Sequence, residues 1–376
     1  MPRAGRVIVA HPSADTYGSD LQLLESLDAL RAAGWETTLC LPQTGPLLDL
    51  VDRPAEVAVL PFPVLRKSLL TGLGPLRLLA ALPGVLTRLV RTIRSVRPDA
   101  VYVNTVTIPW WILAARLARV PVLVHVHEAE EDVPRIVRFG LNLPLLLARA
   151  IVANSAASAR VVAESVPFVG RRTTVVWNGV PDQGAADDAA ARPGRLALVA
   201  RLSPRKGVDV ALEAVARLRA EGRPVTLTVC GTTFPGYEWF EAQLRARADE
   251  PDLRGAVEFA GYVNPTLPVL AAASVVLVPS RVEPFGNTAV EALLARRPLV
   301  ASDVQGLAEI VEHERTGLLV PPGDAAALAA GVARYLDDPA WAASVAGTGR
   351  DEALRRFGTD RYGADIVALV RSTARR

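Results

Sequence analysis

At 376 residues, 50% of them hydrophobic, the chain exceeds what one compact core needs and suits two domains. A formal net charge of +3 is too small to imply nucleic acid, and 2 cysteines make no disulfide framework. No run reaches the roughly 20 uninterrupted apolar residues of a spanning helix, and MPRAGRVIVA lacks a secretory pattern. The chain therefore reads as cytoplasmic, with Cys40 and Cys230 as buried thiols.

The first half alternates short β-branched runs with helical patterns. RVIVA, TTLCL, VAVLP, DAVYVN, VLVHVH and AIVAN read as buried parallel strands. SDLQLLESLDALRAAG reads as a helix with Leu23, Leu24, Leu27 and Leu30 on one face and Gly34 as its stop. Between Val57 and Pro98 lie seven basic residues and no acidic one: Arg66, Lys67, Arg77, Arg88, Arg91, Arg94 and Arg97. On a helix, Arg88, Arg91 and Arg94 share a broad face, leaving Leu86, Leu89, Val90 and Ile93 for others. Basic amphipathic helices lie in the membrane interface, so residues 62–97 are expected to make peripheral contact with an anionic membrane. Two alternatives stand beside this: leucines packed on a sheet with solvated arginines, and an acceptor site for an anionic small molecule.

TTVVWNGVP closes this half, and the polar, Ala/Gly-rich DQGAADDAAARPG reads as a linker. LALVARL, VTLTVCG, AVEFAGY, SVVLVPS and PLVASD open a second α/β series, and from about Trp341 the pattern is helical to the end. The expected division is a first domain at 1–180, a linker at 181–194, a second domain at 195–355 and a C-terminal helix at 356–376. Both domains are α/β, doubly wound and Rossmann-like.

The densest chemistry lies in SRVEPFGNTAVEALLA. A strand leads into the loop carrying Glu283, a helix begins near Gly286 or Asn287, and Glu291 follows about one turn in. Ligands of open parallel sheets bind at the carboxyl ends of the strands, where this loop lies. The N–H groups of Asn287 and Thr288 at the helix start suit a phosphate, although a glutamate in a first turn favours any helix. In LVARLSPRKGVDVALEAVARL, Arg201 leaves a strand and Lys206 and Gly207 precede a helix. Two cations on one strand-to-helix loop can converge on a diphosphate, although isolated loop cations are usually just solvated.

Taken in order, RLSPRKG, EFAGYV, EPFGNTAVE and GLAEIVEHERTGLLVPPGD resemble glycosyltransferase family 4, retaining enzymes of the GT-B fold, over nearly the whole chain. The resemblance implies two Rossmann-like domains facing across a cleft, with the C-terminal helix crossing back to the first. It makes Arg201 and Lys206 the cations on the donor diphosphate, Glu291 the acceptor of the ribose hydroxyls, and Glu283 the contact to the donor sugar. Asn287 and Thr288 would add backbone donors beside Phe285 and Gly286, and Gly261, Tyr262 and Val263 would pack the nucleobase. HPSADTYGSDLQLLESL resembles the family's glycine loop, with Gly18 and Ser19 where many members carry two glycines. VLVHVHEAEE places His127 at the family's active-site histidine. His125 and His127 are read as pointing to opposite faces of their strand, with His127 in the site. His11 is a weaker site candidate, and His313 reads as ordinary surface.

No Asp-x-Asp and no metal-ligand spacing occurs in the sequence, so charge on the leaving diphosphate is expected to be met by Arg201, Lys206 and helix N–H groups. The expectation is a retaining, metal-independent, cofactor-free glycosyltransferase acting on a nucleotide-diphosphate sugar and a hydroxyl acceptor. Its alternatives are a nucleotide-sugar epimerase or phosphorylase on the same fold and a non-catalytic nucleotide-sugar-binding protein.

Overall fold

The computed structural model describes residues 5–51, 56–65, 74–129, 133–187, 191–234 and 236–374. The chain forms two compact units, Met1–Gly179 with Thr359–Arg376, and Val180–Gly358. Arg66 and Lys67, part of the basic run, lie outside the described residues.

In the first unit the chain runs β1 (Arg6–Ala10), α1 (Gly18–Ala32), β2 (Glu36–Leu41), α2 (Leu47–Leu50), β3 (Glu56–Val59), α3 (Gly74–Val96), β4 (Ala100–Val103) and α4 (Pro109–Leu117). It continues through β5 (Val122–Val126), α5 (Arg135–Asn142), β6 (Ala150–Ala153), α6 (Ala156–Ser165) and β7 (Thr173–Val175). The sheet is parallel, in the order β3-β2-β1-β4-β5-β6-β7. Successive side chains of a strand alternate between its faces, and both faces here are covered. Ile8 and Ala10 of β1 pack with α3 and α4 through Leu89, Ile93 and Trp111. Val7 and Val9 pack with Leu23, Leu27 and Leu30 of α1 and with Tyr362, Ile366 and Val370 of the C-terminal helix.

Helix α3 follows the packing alternative along its second half. Val85, Leu89 and Ile93 are buried on the core while Arg88, Arg91 and Arg94 stay exposed. Its first turns differ, with Leu76 and Leu79 each 64% exposed.

The second unit runs β8 (Arg195–Val199), α7 (Val208–Ala220), β9 (Thr226–Cys230), α8 (Glu238–Ala248), β10 (Val257–Gly261), α9 (Leu267–Ala272), β11 (Val275–Val278) and α10 (Asn287–Leu294). Then come β12 (Leu299–Ser302), α11 (Gln305–Ile310), β13 (Leu318–Val320), α12 (Ala325–Asp337) and α13 (Pro339–Phe357), before α14 (Thr359–Thr373) joins the first unit. Its parallel sheet has the order β10-β9-β8-β11-β12-β13. The three-residue strands β7 and β13 were not anticipated as strands.

The boundaries also differ from those expected. Within 181–194, residues 188–190 lie outside the described residues, and the neighbouring chain is fastened to the second unit. Asp182 ion-pairs with Arg350 at 2.8 Å, and Ala186 N–H donates to Ala295 O at 3.1 Å. The segment is therefore part of that unit's surface. Cys40 and Cys230 are buried thiols, the first pushed up to about 12 and the second to about 11 by burial.

Candidate functional site

In each sheet the strand order reverses once, between β1 and β4 and between β8 and β11. The carboxyl ends of strands at such a reversal leave a crevice that open α/β sheets use for ligands.

In the second unit, the chain leaving β8 carries Arg201 and Lys206, and the chain leaving β11 carries Glu283. Gly207 makes their approach possible. Its φ is +67°, and a Cβ there would lie 1.9 Å from Pro279 O, so only glycine lets the two loops touch. Arg281 N–H then donates to Arg205 O at 2.7 Å, fastening one loop to the other. Lys206 Nζ lies 2.5 Å from Glu283 Oε2, their side chains 17% and 11% exposed. Ser280 Oγ donates to the same oxygen at 3.1 Å, and Glu283 N–H donates to Gln305 Oε1 at 2.9 Å.

Burial pulls the Lys206 pKa below the usual lysine range, with Arg205 and Arg201 adding repulsion and Glu283 opposing. Burial works to raise the Glu283 carboxyl, but Lys206, Arg205 and Ser280 together hold it below the usual carboxylate range. Arg201 lies over the Phe234 ring, 5.0 Å from its centroid. Lys206 and Arg205 thus act on one carboxylate, with Arg201 close enough to repel Lys206, an arrangement with positive charge to spare for an anion.

Helix α10 begins at the same place. Gly286, with φ +120°, caps it, and a Cβ there would come within 2.6 Å of Leu307 Cδ2. Thr288 Oγ1 donates to Val199 O at 3.1 Å and ties the helix start to the end of β8. Asn287 and Thr288 therefore stand at the helix start at the reversal, where the helix dipole is positive.

Glu291, one turn further, accepts from Thr266 Oγ1 at 3.0 Å. Burial raises its carboxyl to about 7, against the lowering effect of that bond. Thr266 follows the Gly261–Tyr262–Val263 turn after β10, so it brings this turn and Glu291 together, with the Tyr262 side chain exposed. Phe285 can meet a donor only through its backbone. It is buried and packs edge-on to Phe357, with ring centroids 5.8 Å apart, so its side chain serves the core of this unit. Arg205, Ser280, Gln305 and Thr266 join the site without having been singled out. His313 is exposed and accepts from Leu319 N–H at 3.0 Å.

In the first unit, Gly18 and Ser19 open α1 just beyond β1. Across the reversal runs a chain of side chains from adjacent strand ends. His11 Nε2 lies 2.8 Å from Asp20 Oδ1, His11 Nδ1 3.0 Å from Asn104 Nδ2, and Asn104 Oδ1 2.8 Å from His127 Nε2. Asp20 also accepts from Ser13 Oγ and, at 3.1 Å, from Tyr17 N–H.

His125 corrects the expectation of opposite faces. Side chains two residues apart on a strand share a face, and the two rings lie together, tilted by 35° with centroids 4.0 Å apart. His125 lies deeper, fully buried, its Nδ1 2.7 Å from Tyr102 OH. His127 is only half-buried and is the member of the pair that reaches the surface of the unit.

Comparison with known proteins bears on the family and the fold. Residues 18–183 match the model of Glycosyltransferase Family 4, and residues 193–338 that of Glycosyl transferases group 1. The chain is 33% identical to the 2-deoxystreptamine glucosyltransferase of Streptomyces kanamyceticus, over 83% of this chain and 88% of that one. It is 37% identical to the glycogen synthase of Mycobacterium tuberculosis over 49% of this chain and 44% of that one, so it spans under half of that relative's length. The structure of Anabaena Alr3699/HepE in complex with UDP and glucose shares the fold, with TM-score 0.84 and 23% identity over 98% of this chain and 100% of that one. With matched strand order in both units and these relatives, the chain belongs to glycosyltransferase family 4, with the GT-B fold.

Proposed function

We propose that this chain moves a sugar from a nucleoside-diphosphate sugar to a hydroxyl acceptor, with retention of configuration and without a metal. The observation that carries this reading is the meeting, at one strand-order reversal, of Lys206 and Glu283 with Arg201, Arg205 and the start of α10. The cations and N–H groups suit a diphosphate, whose negative charge grows as the sugar leaves. Glu283 accepts hydroxyls of the donor sugar. Glu291 accepts the ribose hydroxyls beside a turn, Gly261–Val263, that suits a base.

In the step proposed, the bond from the anomeric carbon to the diphosphate oxygen breaks. A bond to the acceptor oxygen forms on the same face, and the acceptor proton passes to the departing diphosphate. Metal independence rests on the cations themselves: Arg201, Arg205 and Lys206 with the start of α10 can meet the charge on the departing diphosphate without a metal. The Anabaena protein's complex with UDP and glucose makes UDP-sugars the first donors to try. The relative named for 2-deoxystreptamine puts small-molecule acceptors beside glycans and glycolipids.

The test is nucleoside-diphosphate release from UDP-, GDP- and dTDP-sugars, with and without an acceptor mixture. Release that requires acceptor supports a transferase. Conversion of the donor without any acceptor points to the epimerase reading, and donor binding without turnover to the non-catalytic one.

A second proposal concerns place of work: a cytoplasmic protein that touches an anionic membrane through the 62–97 region. No helix among the described residues is long and apolar enough to cross a membrane. Exposed Leu76 and Leu79 flanking Arg77 favour interfacial contact at the start of α3, while its second half is committed to the core.

A further inference from the structure

The side chains at the reversal in the first unit form a wire with a fixed polarity. Ionised Asp20 can only accept, and the Ser13 hydroxyl and Tyr17 N–H already donate to it. The His11 Nε2–H therefore donates to Asp20. Asn104 turns its Nδ2 toward His11 Nδ1, which accepts as a lone pair, since an N–H there would meet the amide hydrogens head-on. The same amide then has only Oδ1 for its other neighbour, and His127 Nε2–H donates to it. One hydrogen remains on a neutral imidazole, so His127 Nδ1 carries a lone pair, with no partner for it among the described residues.

We propose that Asn104 is a positioning residue: held by His11 and Asp20, it fixes His127 as a hydrogen-bond acceptor at Nδ1, suited to a substrate hydroxyl and unsuited to a carboxylate or phosphate. This rests on the reading that His127 faces the substrate.

The surroundings hold the ring neutral. Burial is the first cause that pushes the His127 pKa down to about 3; a protonated His11 would add to it, and Asp20 opposes. The tilted His125 ring lies against it, held low by burial and itself tied to Tyr102. Glu128 faces it through the chain, accepting the His127 backbone N–H at 2.9 Å. The relay draws on three adjacent strands, with His11 after β1, Asn104 after β4 and His127 after β5, so its spacing is set by the sheet.

The experiment is nitrogen-15 NMR of the full-length protein labelled at histidine, with the His127 signals identified by their loss in His127→Gln. Between about pH 5 and 8, where an ordinary histidine changes charge, the ring is expected to stay neutral with its proton on Nε2. Asn104→Asp places an anion between the two rings. The His127 signals should then titrate within that window, and the acid limb of kcat/KM should rise with them. Asn104→Leu should mix the tautomers and lower kcat/KM about tenfold, the worth of one oriented hydrogen bond.

A proton on Nδ1 in the wild-type chain, or titration of its His127 between those limits, overturns the proposal. So does an unchanged His127 spectrum in a folded Asn104→Asp variant. A protein with the expected spectrum that is inert toward every nucleotide sugar would instead defeat the transferase reading and leave the relay standing.

Discussion

Replacing Lys206 by methionine keeps the length of the side chain and removes its charge. The ammonium sits 2.5 Å from Glu283 Oε2 with both side chains mostly buried, so the variant strips a carboxylate of its main partner. Breaking a buried pair costs about 3–5 kcal/mol, and a charge-assisted bond to phosphate contributes about 1.5–3 kcal/mol. Glu283 can relieve part of the first cost by taking up a proton, and Arg201 and Arg205 remain for the second. The expected loss is about 2–4 kcal/mol in kcat/KM, or roughly 30- to 1000-fold.

The pH dependence follows from Glu283. Its folded pKa lies below the ordinary value, so its contribution to stability is present above the unfolded pKa and fades as pH falls through the folded one. The stability deficit of Lys206→Met should therefore shrink on acidification. Adding Glu283→Gln separates the two roles of the lysine. Urea unfolding should recover much of its midpoint, while calorimetry with nucleoside diphosphate should still show weakened binding. Wild-type kcat/KM in the single variant, or full recovery of nucleotide affinity in the double one, would show that Lys206 serves only Glu283.

Glu291→Gln should weaken the free nucleoside diphosphate in calorimetry, whereas Glu283→Ala should spare the nucleotide and damage transfer; equal losses would show the roles wrongly divided. Because the Glu291 pKa is raised to about 7, its neutral form favours folding below the unfolded pKa, and this is lost as pH rises through about 7. Glu291→Gln should accordingly stabilise the ligand-free protein above pH 7 by about 1–3 kcal/mol in urea unfolding, and wild-type nucleotide affinity should fall on acidification through that pKa. Transfer should persist in excess EDTA; complete loss restored by magnesium or manganese would overturn the metal-independent step. Liposomes containing phosphatidylglycerol should sediment the protein at low salt, and Leu76→Ser with Leu79→Ser should release it. Protein that stays in the supernatant ends the membrane proposal.

The legible part of the site was local in sequence. Arg201 and Lys206 share the β8–α7 loop, and Glu283 and Glu291 share the β11–α10 passage, so spacing kept each pair together and the family resemblance supplied their roles. Strands such as RVIVA and SVVLVPS were legible because buried parallel strands are continuous apolar runs. The rest depends on what the sheet brings together. Lys206 and Glu283 are 77 residues apart, and only the adjacency of β8 and β11 makes them partners. The relay escaped notice for the same reason: Asn104 has no motif of its own, and its partners stand 93 residues before it and 23 after. The direction of the Phe285 ring was not legible either, because a sequence neighbour of Glu283 need not share its direction, and this ring turns into the core. Strands β7 and β13 carry too few residues for a period-two pattern to register.

The central claim, that the donor diphosphate lies where β8 and β11 part, is met most directly by a crystal structure of the protein with a bound nucleoside diphosphate. The account predicts diphosphate oxygens within hydrogen-bond distance of Arg201 and Lys206, the ribose hydroxyls on Glu291 and the base against the Gly261–Val263 turn. A nucleotide bound elsewhere, with Arg201, Lys206 and Glu291 all free of it, would contradict the account.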